Sequence, residues 1–340
     1  MNGRRRLFLD ASPGEIRGVV TLDGLPERLL IERPGKERGP RLGALYRVRI
    51  DELAAPMGMA FVDLGDGEAG IVKASGGAGL KRGAILQATV TAEARADKAA
   101  TLRIVGPSEG KPTLLEAAPD IEQRLAAFAP GAPVVRGPDA REAADEAEDA
   151  VLAERHALAD GLVLTIEPTR ALVAIDVDLS PASARARRLA ANMDAVRHAA
   201  RLLRLKALAG TVAIDLIGGG QDDSQLREAA RSAFQPDQPG VSVLPVSRLG
   251  LLQVARPHRE RPVRELLCDA DGRLSARSVA QKLLRALERE GRFTPGALLQ
   301  AACSQETAMA LRPLVAALGP RFSVVEELGW DRLKTDIRQP

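Results

Sequence analysis

Two aspartates near the ends of short apolar runs are the residues of this chain best suited to chemistry. Asp176 lies in the run that starts at Leu172, and Asp215 lies in the run that starts at Thr211. A carboxylate embedded in a β-prone apolar run is costly to bury, so two of them separated by one amphipathic stretch need a reason. A cation shared by the two carboxylates is the simplest one.

If the two runs form adjacent strands of one sheet, both carboxylates emerge at the same end of that sheet. Like charges so close shift one pKa upward unless a divalent cation neutralises them. Oxygen ligands with open positions suit Mg²⁺, with Mn²⁺ as the alternative. Asp178 points to the same strand face as Asp176 and can join the site or orient a water. This arrangement predicts metal-assisted phosphodiester hydrolysis, with Asp176 and Asp215 as the metal ligands.

A purely structural explanation of the same residues stays open. An aspartate that ends a strand is often an N-cap or turn residue, and Asp178 before Leu179-Ser180-Pro181 fits that pattern. The helix predicted over 183–206 is rich in arginine, which suits either a solvated helix face or a phosphate backbone. A second basic segment follows the second aspartate, and we assign its phosphate-binding residues as Arg248, Arg256 and Arg259.

The composition describes a chain whose cores are built mainly from aliphatic side chains. The 340 residues are 45% apolar and only 2% aromatic, with a net charge of +3. This length predicts two or three folding units. Two cysteines cannot build a disulfide framework, and no stretch approaches the roughly 18 apolar residues of a membrane span. Without a secretory apolar region after Met1, the sequence predicts a cytoplasmic protein that does not contact membranes.

Hydrophobic periodicity predicts the elements that position the aspartates. Three short strands between 5 and 31 are too few to bury a core and need a partner segment. Residues 43–105 hold five short strands punctuated by glycine, which predicts a small barrel of the OB type. An acidic helix is predicted from Pro138 to Leu158, and from 162 to 246 strands and helices alternate in a mixed α/β layer. A boundary near 263–274 precedes a strong amphipathic helix that starts at Ser278.

Taken together, these segments resemble the catalytic core of the ribonuclease E/G family. The resemblance rests on the order and spacing of Ala174-Ile175-Asp176-Val177-Asp178, the helix end from Arg201 to Gly210, the run from Val212 to Ile217, and the run from Ser247 to Gln253. It extends upstream, because Gly43–Tyr46 and Ala60–Gly65 are similar to parts of that family's OB-fold insertion.

The resemblance implies an α/β (α+β) fold. It consists of a ribonuclease-H-like domain with an inserted OB-fold β-barrel, a deoxyribonuclease-I-like catalytic subdomain and a small C-terminal α/β domain. The ribonuclease-H-like domain would comprise 1–40 and 107–165, and the inserted barrel would comprise 41–106. The deoxyribonuclease-I-like subdomain would span 166–262. A linker at 263–274 would lead to the small C-terminal domain at 275–340. The three N-terminal strands would then pair with residues near 110–165.

The resemblance also implies roles for single residues. Asp176 and Asp215 fall on the family's metal-binding aspartates, and Asp178 falls where the family usually has asparagine. Phe61 matches an aromatic residue that stacks on RNA, and Lys98 matches a basic residue that contacts it. Ile71 stands at the second aromatic position, so we expect weaker base stacking.

Two differences between this sequence and the family's pattern bear on function. The segment between Gly106 and Lys111 is too short for the subdomain that senses a 5′-monophosphate, so we expect cleavage that is independent of the 5′ end. The paired cysteines that hold zinc between family subunits are reduced to Cys268, with Asp271 at the second position, so we expect no structural zinc. A homodimer through the C-terminal domain would have to rely on apolar contacts.

The sequence therefore predicts a Mg²⁺-dependent endoribonuclease that cuts single-stranded RNA in RNA processing, such as ribosomal RNA maturation, or in RNA decay. The alternative is a catalytically inactive RNA-binding protein derived from the same family, since the reduced aromatics and missing sensor also fit a decayed nuclease. A phosphatase or nucleotide-binding regulator on an unrelated sheet would explain the aspartates but not the barrel.

Overall fold

The computed structural model describes residues 3–35, 39–54, 58–73, 80–96, 98–179, 181–218 and 224–340, without the side chains of 181–187. The backbone divides into two compact units. The first comprises Met1–Leu9, Gly18–Leu30 and Lys36–Val263, and the second comprises Asp10–Arg17, Ile31–Gly35 and Arg264–Pro340. No helix in the described part of the chain is long and apolar enough to cross a bilayer.

A four-stranded sheet begins the chain. Its strands are β1 (Arg5–Ser12), β2 (Glu15–Leu22), β3 (Leu25–Glu32) and, much later in the chain, β10 (Val134–Arg136). Strand β1 pairs in parallel with β10, so the three N-terminal strands find their partner inside the expected range of 110–165. Leu7, Val20 and Leu30 pack against Ile121 and Leu125, two residues of the helix that follows the barrel.

Five strands between β3 and that helix close into a barrel. They are β4 (Leu45–Ala54), β5 (Met59–Gly65), β6 (Glu68–Lys73), β7 (Ile85–Ala92) and β8 (Ala100–Pro107). Their order is β5-β6-β8-β7-β4, and pairing of β4 with β5 closes the ring. Strands β6 and β8 are parallel. The short strand β9 (Thr113–Glu116) adds to β4 from outside. The expected closed five-stranded barrel is confirmed.

Two helices lead from the barrel to the next sheet. They are α1 (Ile121–Phe128) and α2 (Pro138–Leu152). The acidic helix α2 ends at Leu152, six residues before the predicted Leu158, because the chain enters strand β11 (Arg155–Ala157). Lys206 accounts for this end, since its Nζ donates to the carbonyl oxygens of Ala150, Val151 and Ala153. Those carbonyls would otherwise lack partners at the end of the helix.

A six-stranded sheet carries both aspartates. Besides β11 it contains β12 (Leu162–Pro168), β13 (Val173–Leu179), β14 (Gly210–Asp215), β15 (Ser242–Val243) and β16 (Leu251–Arg256), in the order β11-β12-β13-β14-β16-β15. Helix α3 (Pro181–Leu205) connects the parallel strands β13 and β14, and helix α4 (Ser224–Phe234) follows β14. The mixed α/β layer is confirmed. Strand β16 was not predicted, because the segment around it was interpreted as a basic phosphate-binding segment, although Leu252 and Val254 alternate as in a strand.

The second unit has its own sheet and core. It contains most of α5 (Val263–Leu267), then α6 (Ala276–Phe293), β17 (Leu299–Cys303), α7 (Gln305–Val315), β18 (Phe322–Glu326) and β19 (Thr335–Arg338). The strand order is β18-β17-β19. Leu284 and Leu287 of α6 pack with Leu299 and Leu311. The predicted amphipathic helix is confirmed, and Ser275 caps it by accepting a hydrogen bond from the backbone N–H of Ser278.

Candidate active site

Asp176 and Asp215 are direct neighbours across two parallel strands. The register of β13 against β14 pairs these two residues. Neighbouring strands lie about 4.8 Å apart, and residues at paired positions point to the same face of the sheet. Both aspartates are exposed, whereas Ile175 and Ile214, one position earlier on each strand, are buried. The two side chains therefore stand side by side on a face that solvent can reach.

The local sequence explains why this face is open. Helix α3 is the crossover that joins β13 to β14, and it packs against β12 and β13. Alternation along each strand sends Val173, Ile175 and Val177 to the covered face. The residues between them, including Asp176, take the opposite face. A sheet covered on one side leaves its other side to polar groups.

A buried asparagine holds the backbone just beyond Asp215. Asn192 of α3 is 6% exposed. Its amide donates to the carbonyl oxygen of Ile217 at 3.2 Å, and its Oδ1 accepts from the N–H of Ile217 at 3.0 Å. The two bonds fix the chain two residues after Asp215. Sequence reasoning missed Asn192, although a polar residue at a buried helix position was the available signal.

Asp178 lies beside the aspartate pair rather than within it. It shares the open face with Asp176, but its register partner is Val163 of β12, on the side away from β14. Two strand residues span about 6.6 Å. In the part of the chain that the structure describes, no group of three or more His, Cys, Asp or Glu side chains could hold a metal ion. The carboxylates directly juxtaposed by the register are thus the two of Asp176 and Asp215.

The donor set fits a hydrated divalent ion. Mg²⁺ commonly takes one or two carboxylates and leaves its remaining positions to waters and substrate phosphates. Among the described residues, neither Asp176 nor Asp215 has an ion pair or a side-chain hydrogen bond. Both carboxylates are therefore available to a cation from the open side of the sheet.

Arg248 lies at the end of the sheet where Asp215 lies. It is exposed in the turn 247–250, and Leu251, the first residue after this turn, pairs with Asp215. Ser247 shapes the turn, because its Oγ accepts from the N–H groups of Leu249 and Leu251 at 3.3 and 3.1 Å. The predicted phosphate-binding residue Arg248 is thus placed near the aspartates.

Arg188 is a second cation at this end of the sheet. A side-chain carbon added to Gly218 would lie 2.5 Å from Cδ and 2.9 Å from Nη1 of Arg188, so this exposed arginine lies against the segment that follows Asp215. The sequence predicted that Arg188 belongs to a basic helix, but it did not indicate which arginine of that helix lies near the aspartates. The side chains of Arg185 and Arg187, from the same basic cluster, lie outside the described residues.

Arg256 requires a correction. We predicted that it binds RNA, but it is only 9% exposed. Its Nε and Nη2 donate to Oδ1 of Asp237 at 3.0 and 2.9 Å, and its Nη1 donates to the carbonyl oxygen of Leu208. A buried guanidinium with its donors occupied stabilises the fold and does not reach a phosphate. Arg259 is partly exposed, and its Nη2 donates to the carbonyl oxygen of Pro239 at 2.8 Å.

The barrel presents an apolar and basic strip on its outer face. Phe61 is 41% exposed, and the register pairs it with Ile71. Lys73 and Arg103 are exposed two residues farther along β6 and β8 on that face. Sequence reasoning missed both, although the two-residue period of a strand was a usable signal. Lys98 is exposed in the turn between β7 and β8.

Glu93 ties the barrel to the segment that follows β16. Its N–H donates to the carbonyl oxygen of Arg259 at 2.8 Å, and its Oε2 accepts from the N–H of Arg261 at 3.0 Å. His258 lies in the same segment, where burial and then the charges of Arg95 and Lys98 lower its pKa to about 4. The end of β7 and the turn that carries Lys98 therefore lie beside the segment that leaves the six-stranded sheet.

The histidines His156, His198 and His258 are half-buried. Burial, followed by the charge of Lys206, lowers the pKa of His156 to about 4. Burial and Arg201 also lower the pKa of His198. A histidine with a pKa well below 6.5 is neutral at pH 7.

The comparison with known protein families covers the aspartate-bearing part of the chain. Residues 114–259 match the sequence model of the Ribonuclease E/G family. The expected resemblance is confirmed. The matched region contains Asp176, Asp215 and Arg248. It does not include Phe61 or Lys98, which lie in the barrel.

Three curated relatives agree with the Ribonuclease E/G match. The chain is 30% identical over 177 residues to "Ribonuclease E/G-like protein, chloroplastic" of Arabidopsis thaliana, covering 48% of this chain and 17% of that protein. It is 32% identical over 118 residues to Ribonuclease E of a Nostoc species, with 33% and 17% covered. It is 31% identical over 150 residues to Ribonuclease E of Haemophilus influenzae, with 39% and 16% covered. The chain spans 16% to 17% of the length of these relatives.

Proposed function

We propose that this chain is an endoribonuclease that cleaves single-stranded RNA with the help of Mg²⁺, for which Mn²⁺ can substitute. The register of β13 and β14 carries the proposal, because it sets Asp176 and Asp215 side by side on an open face. The two aspartates lie inside the region similar to the Ribonuclease E/G family. RNA processing, including ribosomal RNA maturation, and RNA decay are the settings that this activity suits.

In the proposed mechanism each residue of the open face has one task. Asp176 and Asp215 would hold the metal ion, which when bound would supply positive charge at the scissile phosphate and make a water more acidic. Asp178 accepts a hydrogen bond from the attacking water and orients it toward phosphorus. Arg248 and Arg188 donate hydrogen bonds to the non-bridging oxygens and offset the charge that develops there. Asn192 keeps the backbone beyond Asp215 in place.

We propose the barrel as the RNA-binding module, with the strand arrangement of an OB fold. Phe61 would stack on a base, while Lys98, Lys73 and Arg103 would contact phosphates. In the same proposal the barrel is inserted into a ribonuclease-H-like domain, and the six-stranded sheet is a deoxyribonuclease-I-like subdomain. The second unit would be the small domain through which two chains associate.

The decisive experiment compares cleavage by the wild-type protein with cleavage by Asp215→Asn and Asp176→Asn. The substrate is an end-labelled, AU-rich single-stranded RNA with Mg²⁺. Loss of one metal ligand removes several kcal/mol of charge stabilisation, so we expect a loss of at least about 100-fold in rate. Glu167→Gln is the matched control, because Glu167 is exposed on β12 of the same sheet and should leave the rate unchanged. Equal cleavage by Asp215→Asn and the wild type would overturn the mechanism.

A catalytically inactive RNA-binding protein is the second candidate. It is favoured by the departure at Asp178 and by the lack of a third ligand beside the pair among the described residues. RNA binding that persists in EDTA, together with no cleavage at any Mg²⁺ concentration, would support it over the nuclease.

A further inference from the structure

An arginine-lined cleft lies in the first unit, at a place that the proposed active site does not use. Its volume is about 1780 Å³, and none of Asp176, Asp178, Asp215 and Arg248 lines it. Among the described residues, nine arginines and four carboxylates line the cleft, and no lysine does. The arginines that bear on the argument are Arg28, Arg124, Arg197, Arg201, Arg204 and Arg231.

The carboxylates in and beside the cleft do not neutralise its arginines. Each of three acidic residues is shared between two arginines: Glu27 by Arg5 and Arg204, Asp237 by Arg204 and Arg256, and Glu260 by Arg28 and Arg124. Because one carboxylate is shared between two guanidinium groups, each such group of side chains has a net positive charge. The cleft is therefore positive even before its less tightly paired arginines are considered.

Arg201 is a buried arginine of this cleft with an unused donor. It is only 8% exposed, and its Nη1 donates to the carbonyl oxygen of Pro26 at 2.5 Å. Its Nε is buried without a hydrogen-bond partner among the described atoms. Burial, followed by the nearby charge of Arg204, lowers the pKa of Arg201 to about 10. A buried cation with a vacant donor would be stabilised by an anion in the cleft.

The chemistry of the lining suits a phosphate group. Guanidinium groups present paired N–H donors in one plane, which match the oxygens of a phosphate group bidentately. The Phe128 ring helps to hold Arg28 in place, because the guanidinium of Arg28 lies over this ring, 4.2 Å from its centre. Arg231 is exposed at the cleft. Buried and exposed arginines together could contact a ligand that carries more than one charge.

We propose that this cleft binds the phosphate groups of a ligand with at least two negative charges, with Arg201 as the central contact and Arg28 and Arg231 beside it. The site is distinct from the aspartate pair, and its ligand is bound there rather than cleaved. The phosphates belong either to a free nucleotide or to an RNA strand, and the experiment separates these two sources.

The first test measures binding of pyrophosphate to the full chain by titration calorimetry in low salt with EDTA. We expect saturable binding, weakened at least tenfold in Arg201→Gln and severalfold in Arg231→Gln. Arg136→Gln is the control, because Arg136 is half exposed on β10 and does not line the cleft. Asp215→Asn should bind pyrophosphate as the wild type does, which keeps this outcome independent of the nuclease proposal.

Two measurements make the result decisive. Circular dichroism checks that Arg201→Gln is folded. If it is not folded, pyrophosphate binding by the Arg231→Gln variant, whose substituted residue is exposed, tests the proposal. Competition with AMP, ADP and a ten-nucleotide RNA with a 5′-hydroxyl identifies the source, since displacement by nucleotides alone indicates a free nucleotide and displacement by the RNA indicates a strand. Absence of saturable pyrophosphate binding below about 1 mM, or equal binding by the wild type and the folded cleft variants, would overturn the proposal.

Discussion

Arginines close together in sequence have different roles because a strand alternates its faces. Arg256 follows Leu252 and Val254 at two-residue intervals, so it shares their buried face and pairs with Asp237. Arg248 lies in the turn before β16 and is exposed near Asp215. The sequence contained the information that distinguishes these two arginines, but only once β16 is recognised as a strand.

At the residue scale, Phe61→Ala tests the barrel as an RNA-binding surface. If Phe61 stacks on a base as proposed, removing its exposed ring should weaken RNA binding by about 1–3 kcal/mol. The matched control is Val105→Ala, since Val105 is 55% exposed on β8 and its removal takes away apolar surface without an aromatic ring. Fluorescence anisotropy with a labelled single-stranded RNA measures both. Equal affinities for the two variants would argue against stacking at Phe61.

The half-buried histidines predict a loss of stability in mild acid. His258 has its pKa lowered to about 4 by burial and by Arg95 and Lys98, whereas an unfolded histidine titrates near 6.5. Between these values the unfolded chain binds more protons, so the stabilisation present above about pH 6.5 is lost as the pH falls toward 4. We expect the melting temperature to fall between pH 7 and pH 5, and to fall less in His258→Gln. An identical pH profile for the variant and the wild type would contradict this prediction.

At the scale of secondary-structure elements, pairing rather than composition creates the candidate site. The strands β13 and β14 were both predicted, yet the prediction did not include their register. Helix α3 connects them, covers one face of the sheet and supplies Asn192, which bonds to the backbone of Ile217. A one-residue slip of either strand would move its aspartate to the covered face.

Glycine at the end of β5 provides a test of barrel packing. Gly65 has φ +90°, and a side-chain carbon added to it would lie 2.6 Å from the carbonyl oxygen of Pro112. Gly65→Ala should therefore lower the free energy of unfolding by more than the roughly 1 kcal/mol expected from backbone strain alone. Gly67→Ala is the control, because Gly67 has φ +83° but no heavy atom within 4 Å of the added carbon. Equal urea midpoints for the two variants would show that the close approach to Pro112 is unimportant.

At the scale of the whole molecule, the short link after the barrel predicts how RNA ends are treated. Strand β8 ends at Pro107 and β9 begins at Thr113, where the chain pairs again with barrel strand β4. These few residues leave no room for a separate subdomain that senses a 5′-monophosphate. We expect equal cleavage rates for matched RNAs with a 5′-monophosphate and a 5′-triphosphate. A marked preference for the monophosphate in a gel-based rate comparison would refute the prediction.

The sequence by itself determined the local elements and the chemical character of the site. Strand periodicity located the barrel strands, β13 and β14, and the placement of carboxylates in two apolar runs singled out Asp176 and Asp215, to which the resemblance gave the same role. The end of α2 was misplaced, because Lys206, which binds its last carbonyl groups, is more than 50 residues away.

Only the tertiary structure decided which distant residues meet. It paired β1 with β10, placed Asp176 opposite Asp215, and buried Arg256 against Asp237. It also brought arginines from β1, β3, α1, α3 and α4 to one cleft. The physical reason is that periodicity and turn chemistry act between neighbours in sequence, whereas register, burial of charge and the sharing of carboxylates depend on non-local packing.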